Sequence, residues 1–475
     1  MEMFKNFQDY SSNIAVLTDS KIEVTYGQLE SRVSSFEKYL ESGELILILG
    51  SNDFQTLICY LAAIRRGTVV LMLSSNIEQN YLENLINSFK PKFIWGLGNN
   101  LQTISIDFHE IFKHESYTLL SSKNTLTLPS DLALLLTTSG STGLPSFVRI
   151  SRKNLVANTN SIIQALGIKK FDRAITTLPV NYSYGLSIIN SHLTAGASLV
   201  LNSNAIASRE FWDLAILTKA TSMGGVPFTY EMFGKFDSDF IAKSQLRKFT
   251  QAGGKLEKNL VLQIVKTVEE LNGSFILMYG QTEATARISV LPFELVKENP
   301  ESIGKPIPNG EIKLIGEDNF EISEPFQEGE LRYFGPNVTL GYANTLEDLY
   351  SADNNNGSLD TGDIAYFDNN GLFYISGRKK RFIKLFGIRT SLDDIESNLQ
   401  AEGFECVCSQ IDDVLYIYTT EKKSIDKIRK FVIVKYKIRQ SDFTISFIES
   451  VPRGESGKVL YSNLPKKVEK SNNAK

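Results

Sequence analysis

Residues 137–145 read Thr-Thr-Ser-Gly-Ser-Thr-Gly-Leu-Pro and directly follow a short apolar run, Leu132 to Leu136. A buried strand that opens into glycine and hydroxylated residues can wrap an anion, because glycine lets the backbone turn with positive φ. Successive N–H groups and hydroxyls can then surround phosphate oxygens. Taken alone, the stretch is equally compatible with an ordinary turn. The sequence therefore predicts a strand and a phosphate loop here, provided that other segments support the same site.

The regions on both sides of this loop alternate between strand and helix patterns. Two strand–helix–strand units are predicted: Leu45–Gly50, an amphipathic helix over Phe54–Arg66 and Thr68–Leu73, then Arg173–Leu178, Gly185–Ala195 and Ala197–Leu201. A glycine follows each helix, as is common at helix ends. Alternation of strands and helices predicts an α/β fold with parallel sheets buried on both faces. The two units indicate two related α/β halves of one large domain.

The pattern changes after residue 310. Short strands with glycine-, asparagine- and proline-bearing turns predict a small β-rich subdomain: Glu311–Ile315, Gly329–Phe334 and Val338–Tyr342. A further α/β pattern follows the basic run at 378–381, with a helix from Ser391, a second helix over Ile425–Tyr436 and three strands between and after them. We therefore predict two domains, a large N-terminal one over 1–379 and a small, mobile C-terminal one over 380–475.

Composition excludes several classes of function. The chain has 475 residues, 42% of them hydrophobic, and a formal net charge of −4, which argues against nucleic acid as the main partner. No apolar run approaches the length of a membrane span. The segment Met1–Tyr10 carries charges and lacks an apolar core, so it does not resemble a signal peptide. These features predict a cytoplasmic protein.

Cysteine and histidine are scarce, with three of each. Cys59 lies in an apolar helix pattern and is predicted to be a core residue. Cys406 and Cys408 lie on a predicted strand, where we expect one to face inward and one outward, and their spacing is not that of a zinc pair. The histidines form no cluster. Catalysis by histidine is therefore not expected, and the chemistry must depend on lysine, arginine, carboxylates and backbone groups.

A second segment, Phe275–Glu283, reads as a strand that ends at a Tyr-Gly corner. Ligands of open α/β sheets bind at the carboxyl ends of strands. Thr282 can donate to a phosphate oxygen, and Glu283 can hold a hard cation such as Mg²⁺. Tyr279 offers a flat face for a base. The alternative is the start of a helix with Thr282 in its first turn, and the segment by itself leaves both interpretations open.

Two further segments lie downstream. Asp363, in a Thr-Gly-Asp triplet with a predicted glycine turn, can accept two hydrogen bonds from the cis-diol of a ribose. Arg378 follows fifteen residues later and can pair with phosphate or ribose oxygens. The stretch Pro452–Lys458 is a glycine-bearing loop that ends in lysine. Each segment is weak evidence alone, since such turns are common and a loop lysine is usually a solvated charge.

Taken in order, these segments resemble the ANL superfamily of adenylate-forming enzymes, which includes acyl-CoA synthetases, peptide-synthetase adenylation domains and luciferases. The resemblance extends from Val24–Leu29 to Lys458 and so covers nearly the whole chain. It implies that ATP, with Mg²⁺, converts a small carboxylic acid into acyl-AMP and releases pyrophosphate. The acyl group then passes to a thiol, either of coenzyme A or of the phosphopantetheine arm of a separate carrier protein.

The resemblance also implies a role for each matching residue. The ATP phosphates would be enclosed by Thr138, Ser139, Gly140, Ser141, Thr142 and Gly143, and the adenosine would be bound by Gly253, Gly254, Tyr279, Gly280, Asp363 and Arg378. Thr282 would touch the α-phosphate and Glu283 would hold Mg²⁺. Lys458 would reach the substrate carboxylate, where it cancels the repulsion between two anions. Lys380 would be the hinge of the C-terminal domain.

Two departures from the family pattern lie beside the phosphate loop. The family usually continues with Pro-Lys-Gly, whereas Pro145 is followed here by Ser146 and Phe147, so a cation is missing near the β- and γ-phosphates. Arg152 stands where a histidine is often found. These departures leave an alternative open, namely a nucleotide-binding relative with weak or no turnover that acts as a sensor or scaffold. The retained acidic and basic motif residues favour an active enzyme.

The acyl pocket implied by the resemblance includes Asn181, Tyr182 and Tyr184. Adenylation domains for α-amino acids carry an aspartate that pairs with the substrate ammonium, and Asn181 aligns with it. An uncharged amide compensates poorly for the burial of an ammonium group. We therefore predict an aliphatic or aromatic acid without a free α-amino group. The alternative is that these three residues only line the end of a strand.

Overall fold

The structure is a computed structural model. It describes residues 3–4, 6–20, 22–101, 104, 107–137, 146–233, 238–379, 381–385, 388–411, 414–436, 438–454, 457 and 459–465. The predicted phosphate loop Thr138–Gly143, the predicted hinge Lys380 and the predicted catalytic Lys458 lie outside the described residues. The chain divides into two compact units, one of residues 1–140, 144–311 and 333–359 and one of residues 141–143, 312–332 and 360–475. The predicted domain boundary between 379 and 380 stays a prediction.

The first half of the first unit is a sheet with strand order β19-β9-β8-β4-β3-β5-β7-β6. Its elements up to residue 151, together with the strands β1 and β2 of the next sheet, are β1 (Ile14–Thr18), β2 (Glu23–Thr25), α1 (Tyr26–Glu37), β3 (Leu45–Gly50), α2 (Phe54–Arg66), β4 (Val69–Ser74), α3 (Gln79–Phe89), β5 (Phe93–Leu97), α4 (Gly98–Leu101), β6 (His109–His114), β7 (Tyr117–Ser121), β8 (Leu132–Thr137) and β9 (Phe147–Ser151). Strands β8, β4, β3 and β5 are parallel, as the sequence predicts.

The second half of this unit carries strands in the order β16-β15-β14-β13-β12-β10-β11-β1-β2. Its further elements are α5 (Arg152–Leu166), β10 (Arg173–Ile175), α6 (Ser183–Thr194), β11 (Ser198–Leu201), α7 (Arg209–Leu217), β12 (Ser222–Gly225), α8 (Pro227–Phe233), α9 (Ser238–Lys243), β13 (Lys248–Gln251), α10 (Lys258–Glu270), β14 (Ser274–Tyr279), β15 (Ser289–Leu291), α11 (Phe293–Val296) and β16 (Ser302–Pro306). Strands β10 to β14 run parallel, so the prediction of two α/β halves is confirmed.

The core of the first unit lies between these two sheets. Asp53 caps the start of α2 by accepting from the Thr56 N–H, and Gly67 ends the helix with a φ of +92°. The helix is confirmed, but its predicted amphipathic character is wrong, because every residue from Gln55 to Ile64 is buried. Apolar residues of both halves, such as Met72 and Leu199, join the same hydrophobic cluster. A helix enclosed by two layers needs no polar face.

The following strands are β17 (Glu311–Ile315), β18 (Gly329–Phe334), β19 (Tyr342–Ala343), β20 (Ser358–Phe367) and β21 (Phe373–Arg378). The order β17-β18-β20-β21 forms the β-rich part of the second unit. The predicted strand over Val338–Tyr342 is wrong in extent, since only its last residue belongs to a strand, at the start of β19 opposite Val148. Leu340 and Gly341 form backbone hydrogen bonds with Arg149 at 2.9 and 2.8 Å. Before them, Asn154 donates to the carbonyls of Pro336 and Val338, and all of these residues belong to the first unit.

The C-terminal α/β part of the second unit comprises β22 (Phe382–Leu385), β23 (Ile388–Ser391), α12 (Leu392–Ala401), β24 (Cys406–Ile411), β25 (Val414–Thr419), α13 (Ile425–Tyr436) and β26 (Phe443–Phe447). Both helices pack on the sheet β24-β25-β26. The prediction that Cys406 and Cys408 face opposite ways is wrong. Both thiols are buried in one cluster, because residues two apart on a strand share a face.

Candidate active site

The parallel strands of the second half bring several predicted site residues to one edge. Strands β10, β12, β13 and β14 all end there, and side chains at the carboxyl ends of parallel strands share that edge. Gln251 pairs with Leu277 in the register of β13 and β14. Gly253 and Tyr279 each follow two residues after this pair. The predicted adenine-binding residues thus lie at the carboxyl ends of adjacent strands, the edge where ligands of α/β sheets bind.

A tight turn follows β14 and returns the chain into antiparallel β15. Gly280 is required at its start, because a Cβ there would lie 1.9 Å from the carbonyl oxygen of Ala286. Thr282 opens a short 3₁₀ helix over Thr282–Ala284. Thr285 and Ala286 then adopt φ of +61° and +149°, which non-glycine residues rarely do. We call residues 280–287 the catalytic turn, after the role that the sequence predicts for Thr282 and Glu283; its strained backbone turns Arg287 toward the interior.

Buried hydrogen bonds hold the catalytic turn in this shape. The Asn337 amide donates to the carbonyl oxygens of Ala284 and Arg287, both at 2.8 Å. The Thr285 hydroxyl donates to the Asn337 carbonyl at 2.6 Å, and the N–H of Thr339 donates to the Glu283 carbonyl at 3.0 Å. Asn337 is 2% exposed. Sequence reasoning missed this residue, since its role depends on a contact across more than fifty positions.

Glu283 is a half-buried residue of the catalytic turn. Its Oε1 accepts a hydrogen bond from the Tyr342 hydroxyl at 2.8 Å. Burial, and then the charge of Glu283, raise the pKa of Tyr342, so the phenol stays a donor. Tyr342 was not singled out from the sequence. Within the described residues no group of three or more His, Cys, Asp or Glu is placed to hold a metal ion.

The residues present fit a magnesium ion that is shared with phosphate. Mg²⁺ prefers hard oxygen ligands and is commonly held in nucleotide sites by one or two carboxylates plus substrate phosphates. The Glu283 carboxylate supplies such oxygens, and the single bond from Tyr342 leaves further lone pairs available. A site with one carboxylate would hold the metal weakly in the absence of a nucleotide.

The predicted acyl-pocket residues lie at the turn into α6, beside the catalytic turn. The Ser183 and Thr282 hydroxyl oxygens are 3.1 Å apart, which joins the two turns. The Tyr184 hydroxyl lies 2.9 Å from the Thr250 carbonyl oxygen and 2.7 Å from the Thr250 hydroxyl oxygen. Asn181 and Tyr182 are half-buried at the same turn.

Glycine at position 253 makes room for one of these pocket residues. A Cβ on Gly253 would lie 2.6 Å from the Tyr182 hydroxyl oxygen, and its φ of +88° is unfavourable for other residues. The lack of a side chain at Gly253 thus leaves room for Tyr182 in the wall of the predicted acyl pocket. The family resemblance separately predicts that Gly253 lies along the adenine. Gly254 is exposed.

Arg287 is a site residue that sequence reasoning missed. It is 1% exposed, and its Cζ lies 4.6 Å from the centre of the Tyr184 ring. Burial lowers the pKa of Arg287, while Tyr184 and Tyr182 act in the opposite direction. Neither Nε nor Nη1 has an acceptor among the described residues. A signal existed in the sequence, since this arginine stands alone among small and apolar residues from Ala284 to Val290.

The predicted ribose-binding pair lies in the second unit. Asp363 faces Arg378 across the antiparallel strands β20 and β21. The Arg378 Nε lies 2.9 Å from Asp363 Oδ1, with the arginine side chain 47% exposed and the aspartate 2%. The Thr-Gly-Asp triplet lies within β20, where Gly362 has a φ of +72° and the Asp363 N–H donates to the Thr361 hydroxyl at 3.1 Å, so the expected glycine turn is a local irregularity of a strand. The strand holds the triplet through the Thr361 hydroxyl, which donates to the Leu331 carbonyl at 2.7 Å.

The departures beside the phosphate loop have a structural use. Phe147 is buried as the first residue of β9 and packs against Phe89. Arg152 opens α5 and donates to the carbonyls of Ser130 and Ile64 at 3.0 and 2.7 Å. Burial lowers the pKa of Arg152. This arginine fastens elements of the first unit together, which gives it a structural role at the position where the family often has histidine.

Comparison with known proteins assigns the family. A family profile described as AMP-binding enzyme matches residues 4–343, well over half of the chain. The chain belongs to the AMP-binding enzyme family. This membership confirms the resemblance to the ANL superfamily that the motifs indicated.

Individual relatives of this AMP-binding enzyme are distant. Luciferin 4-monooxygenase of Photuris pensylvanica is 26% identical over 77% of the chain and 72% of its own length. Oxalate–CoA ligase of Arabidopsis thaliana is 26% identical, covering 81% of the chain and 80% of the relative. A solved structure of o-succinylbenzoate CoA synthetase from Bacillus subtilis superposes with a TM-score of 0.77 at 21% identity, covering 97% and 96% of the two chains. That structural likeness confirms the fold. Within the described residues, helices are too short or too polar to cross a membrane.

Proposed function

We propose that the AMP-binding enzyme is an acid–thiol ligase that forms AMP. In the first step a carboxylate oxygen attacks the α-phosphorus of ATP, the bond to the β-phosphate oxygen breaks, and pyrophosphate leaves. In the second step a thiol sulfur attacks the acyl carbon, the thiol proton is lost, and AMP leaves. The carboxylate is already ionised at neutral pH, so the first step needs no general base.

The observation that carries this proposal is the contact between the catalytic turn and the acyl-pocket turn. The 3.1 Å separation of the Ser183 and Thr282 hydroxyl oxygens ties a predicted phosphate contact to a predicted acid pocket. Adenylation needs the acid and the α-phosphate to be held against each other, and positioning of this kind supplies much of a rate enhancement. The alternative of a sensor or scaffold requires no such junction.

The chain's own residues divide the work as follows. Thr282 donates to the α-phosphate, and the Tyr279 face with the Gly253 backbone bounds the adenine. Mg²⁺, which Glu283 would hold, would neutralise charge on the phosphates. The strained shape of the catalytic turn keeps these groups in place before ATP binds, so little reorganisation is needed on binding.

The remaining assignments depend on the family resemblance. In this proposal Asp363 and Arg378 bind the ribose hydroxyls, the loop Thr138–Gly143 encloses the phosphates, and Lys458 stabilises the anionic transition state. Lys380 would be the hinge of a C-terminal domain that begins at residue 380. The relative named oxalate–CoA ligase supports coenzyme A as the thiol. A separate carrier protein is the other acceptor that the chemistry allows.

Exchange of labelled pyrophosphate into ATP, with a panel of carboxylic acids, tests the first step. We expect acid-dependent exchange, lowered about 10²–10³-fold in Lys458→Ala and Glu283→Gln, because each removes charge stabilisation of the transition state. Glu298→Gln is the matched control, since Glu298 is an exposed carboxylate of the same unit. Product assays with coenzyme A then test the second step. Absence of exchange with every acid, alongside tight ATP binding, would favour the sensor or scaffold.

A further inference from the structure

We propose that Arg287 binds a second carboxylate of the substrate, so that this enzyme activates one end of a dicarboxylic acid. The inference rests on the proposed function, because it concerns the acid that is adenylated. It follows from the position of Arg287 in the wall formed with Tyr182 and Tyr184, and from the lack of an anion beside it in the part of the chain that the structure describes.

The Arg287 guanidinium is buried, and no residue that the structure describes compensates its charge. Arginine keeps its proton in proteins, so burial cannot be relieved by deprotonation. Among the described residues Arg287 forms no ion pair, and its Nε and Nη1 find no acceptor. A buried charge of this kind costs several kcal/mol unless a partner is supplied. The face of Tyr184, 4.6 Å away, offsets part of that cost by a cation–π contact.

The surrounding residues fix the guanidinium where it is. The backbone carbonyl of Arg287 accepts from Asn337 and from Asn158, at 2.8 and 3.3 Å. The ring of Tyr184 is oriented by its hydroxyl contacts with Thr250. An arginine that is anchored at its backbone and stacked on an oriented ring is prepared to receive a ligand, because little side-chain entropy is lost on binding.

The chemistry around Arg287 selects the class of ligand. Tyr184, on whose ring Arg287 stacks, belongs to an apolar cluster that includes Val226, Met278 and Ile307. An apolar chain that ends in a carboxylate matches both features, and a planar carboxylate suits the planar fork of a guanidinium. An ammonium group would be repelled, in agreement with the acid lacking a free α-amino group that Asn181 predicts.

Matched pairs of acids test the subsite by binding and by turnover. Succinate, glutarate, adipate and terephthalate are compared with butyrate, pentanoate, hexanoate and 4-methylbenzoate, by calorimetry and by pyrophosphate exchange. We expect at least one diacid to be preferred by a hundredfold or more over its partner. Arg287→Met should abolish that preference by weakening the diacid about a hundredfold, since loss of one partner of a buried, hydrogen-bonded charge pair is costly.

Control variants separate this result from general damage. Arg287→Lys keeps the charge and should keep part of the preference. Arg209→Met makes the same change at a residue that is 78% exposed and should leave both acids unaffected. The affinity for ATP should be unchanged in Arg287→Met, and a selective loss of ATP affinity would instead assign the arginine to the nucleotide.

The two proposals fail in different ways. Binding of each monoacid as tightly as its diacid, or binding of none of the diacids, overturns the second-carboxylate subsite whatever the exchange assay gives. Exchange that is absent with all eight acids counts against adenylation of this class of substrate, while the calorimetric preference still decides whether Arg287 binds a carboxylate.

Discussion

Arg287 and Arg381 are two largely buried arginines, one in each compact unit, with opposite surroundings. Both stack on tyrosine, Arg287 at 4.6 Å from the Tyr184 ring and Arg381 at 3.7 Å from the Tyr461 ring. Arg381 also pairs with Asp393 at 2.6 Å and Glu396 at 2.7 Å. Arg287 has no such partner among the described residues.

The difference separates a charge used by the fold from a charge held for a ligand. Burial alone would lower the pKa of Arg381, but Glu396, Tyr461 and Asp393 together raise it. Burial lowers the pKa of Arg287, and only two tyrosines oppose the effect. A buried cation without a compensating charge lowers the stability of the folded protein. Such a loss of stability is common at functional sites. The following predictions measure that contrast, starting with the largest effect.

Removal of Arg381 should destabilise the protein most. Arg381→Ala leaves Glu396 buried without its cation, although the Tyr461 hydroxyl and the Cys408 N–H still donate to it. We expect a loss of about 3–5 kcal/mol in the free energy of unfolding. Denaturant titration followed by fluorescence measures it, and Arg381→Lys should recover part of the loss. A change below 1 kcal/mol in Arg381→Ala would show that the ion pairs do not stabilise this unit.

His192 is a third buried basic residue. Unlike the two arginines, it can lose its proton, so its burial does not bury a charge. It is buried, with Nδ1 bonded to the Ile188 carbonyl at 2.9 Å, and burial lowers its pKa to about 4. In the unfolded chain the imidazole has its ordinary pKa of about 6.5. Between pH 4 and pH 6.5 the unfolded chain therefore binds more protons than the folded chain. Stability contributed by neutral His192 is complete above pH 6.5 and falls by roughly 3 kcal/mol on acidification to pH 4.

The measurement is the difference in acid sensitivity between the wild type and His192→Asn. Carboxylates titrate in the same range in both proteins, so only the difference between the two curves reports on His192. The free energy of unfolding of the variant should fall less steeply between pH 6.5 and 4. Parallel curves over this range would contradict a neutral buried imidazole.

Arg287→Met should have the opposite sign from Arg381→Ala. Replacement of an uncompensated buried cation by an apolar side chain of similar length should leave the ligand-free protein equally stable or up to about 1–3 kcal/mol more stable. Denaturant titration without nucleotide or acid tests this. A loss above 1 kcal/mol would mean that the Tyr184 contact already satisfies the guanidinium in the folded protein. The contrast with Arg381 would then disappear.

Much of this arrangement could be predicted from the sequence, and the reason is local. The two strand–helix–strand units, within residues 45–73 and 173–201, carry their own structural signal, so both α/β halves were found. Arg287 was missed because what distinguishes it is that no described residue provides an anion for its guanidinium. A local sequence pattern cannot show that such a contact is absent. Asn337 and Tyr342 were missed because they meet the catalytic turn from more than fifty residues away. The inward turn at Arg287 depends on the unusual φ of Ala286, and an alanine in the sequence does not predict such a backbone angle.

The smallest effect is expected for Arg378, whose pairing resembles neither buried case. Arg378 is 47% exposed while its partner Asp363 is 2% exposed, so solvent screens much of their attraction across the 2.9 Å contact. Arg378→Ala should therefore change the free energy of unfolding by less than about 1 kcal/mol. The KM for ATP should rise clearly, because the variant removes a predicted ribose contact. Denaturant titration and ATP-dependent kinetics measure the two effects on the same preparation.

A large loss of stability with an unchanged KM would place Arg378 with Arg381, as a cation that stabilises the fold. Arg287 would then be the single candidate among these three arginines for binding a ligand.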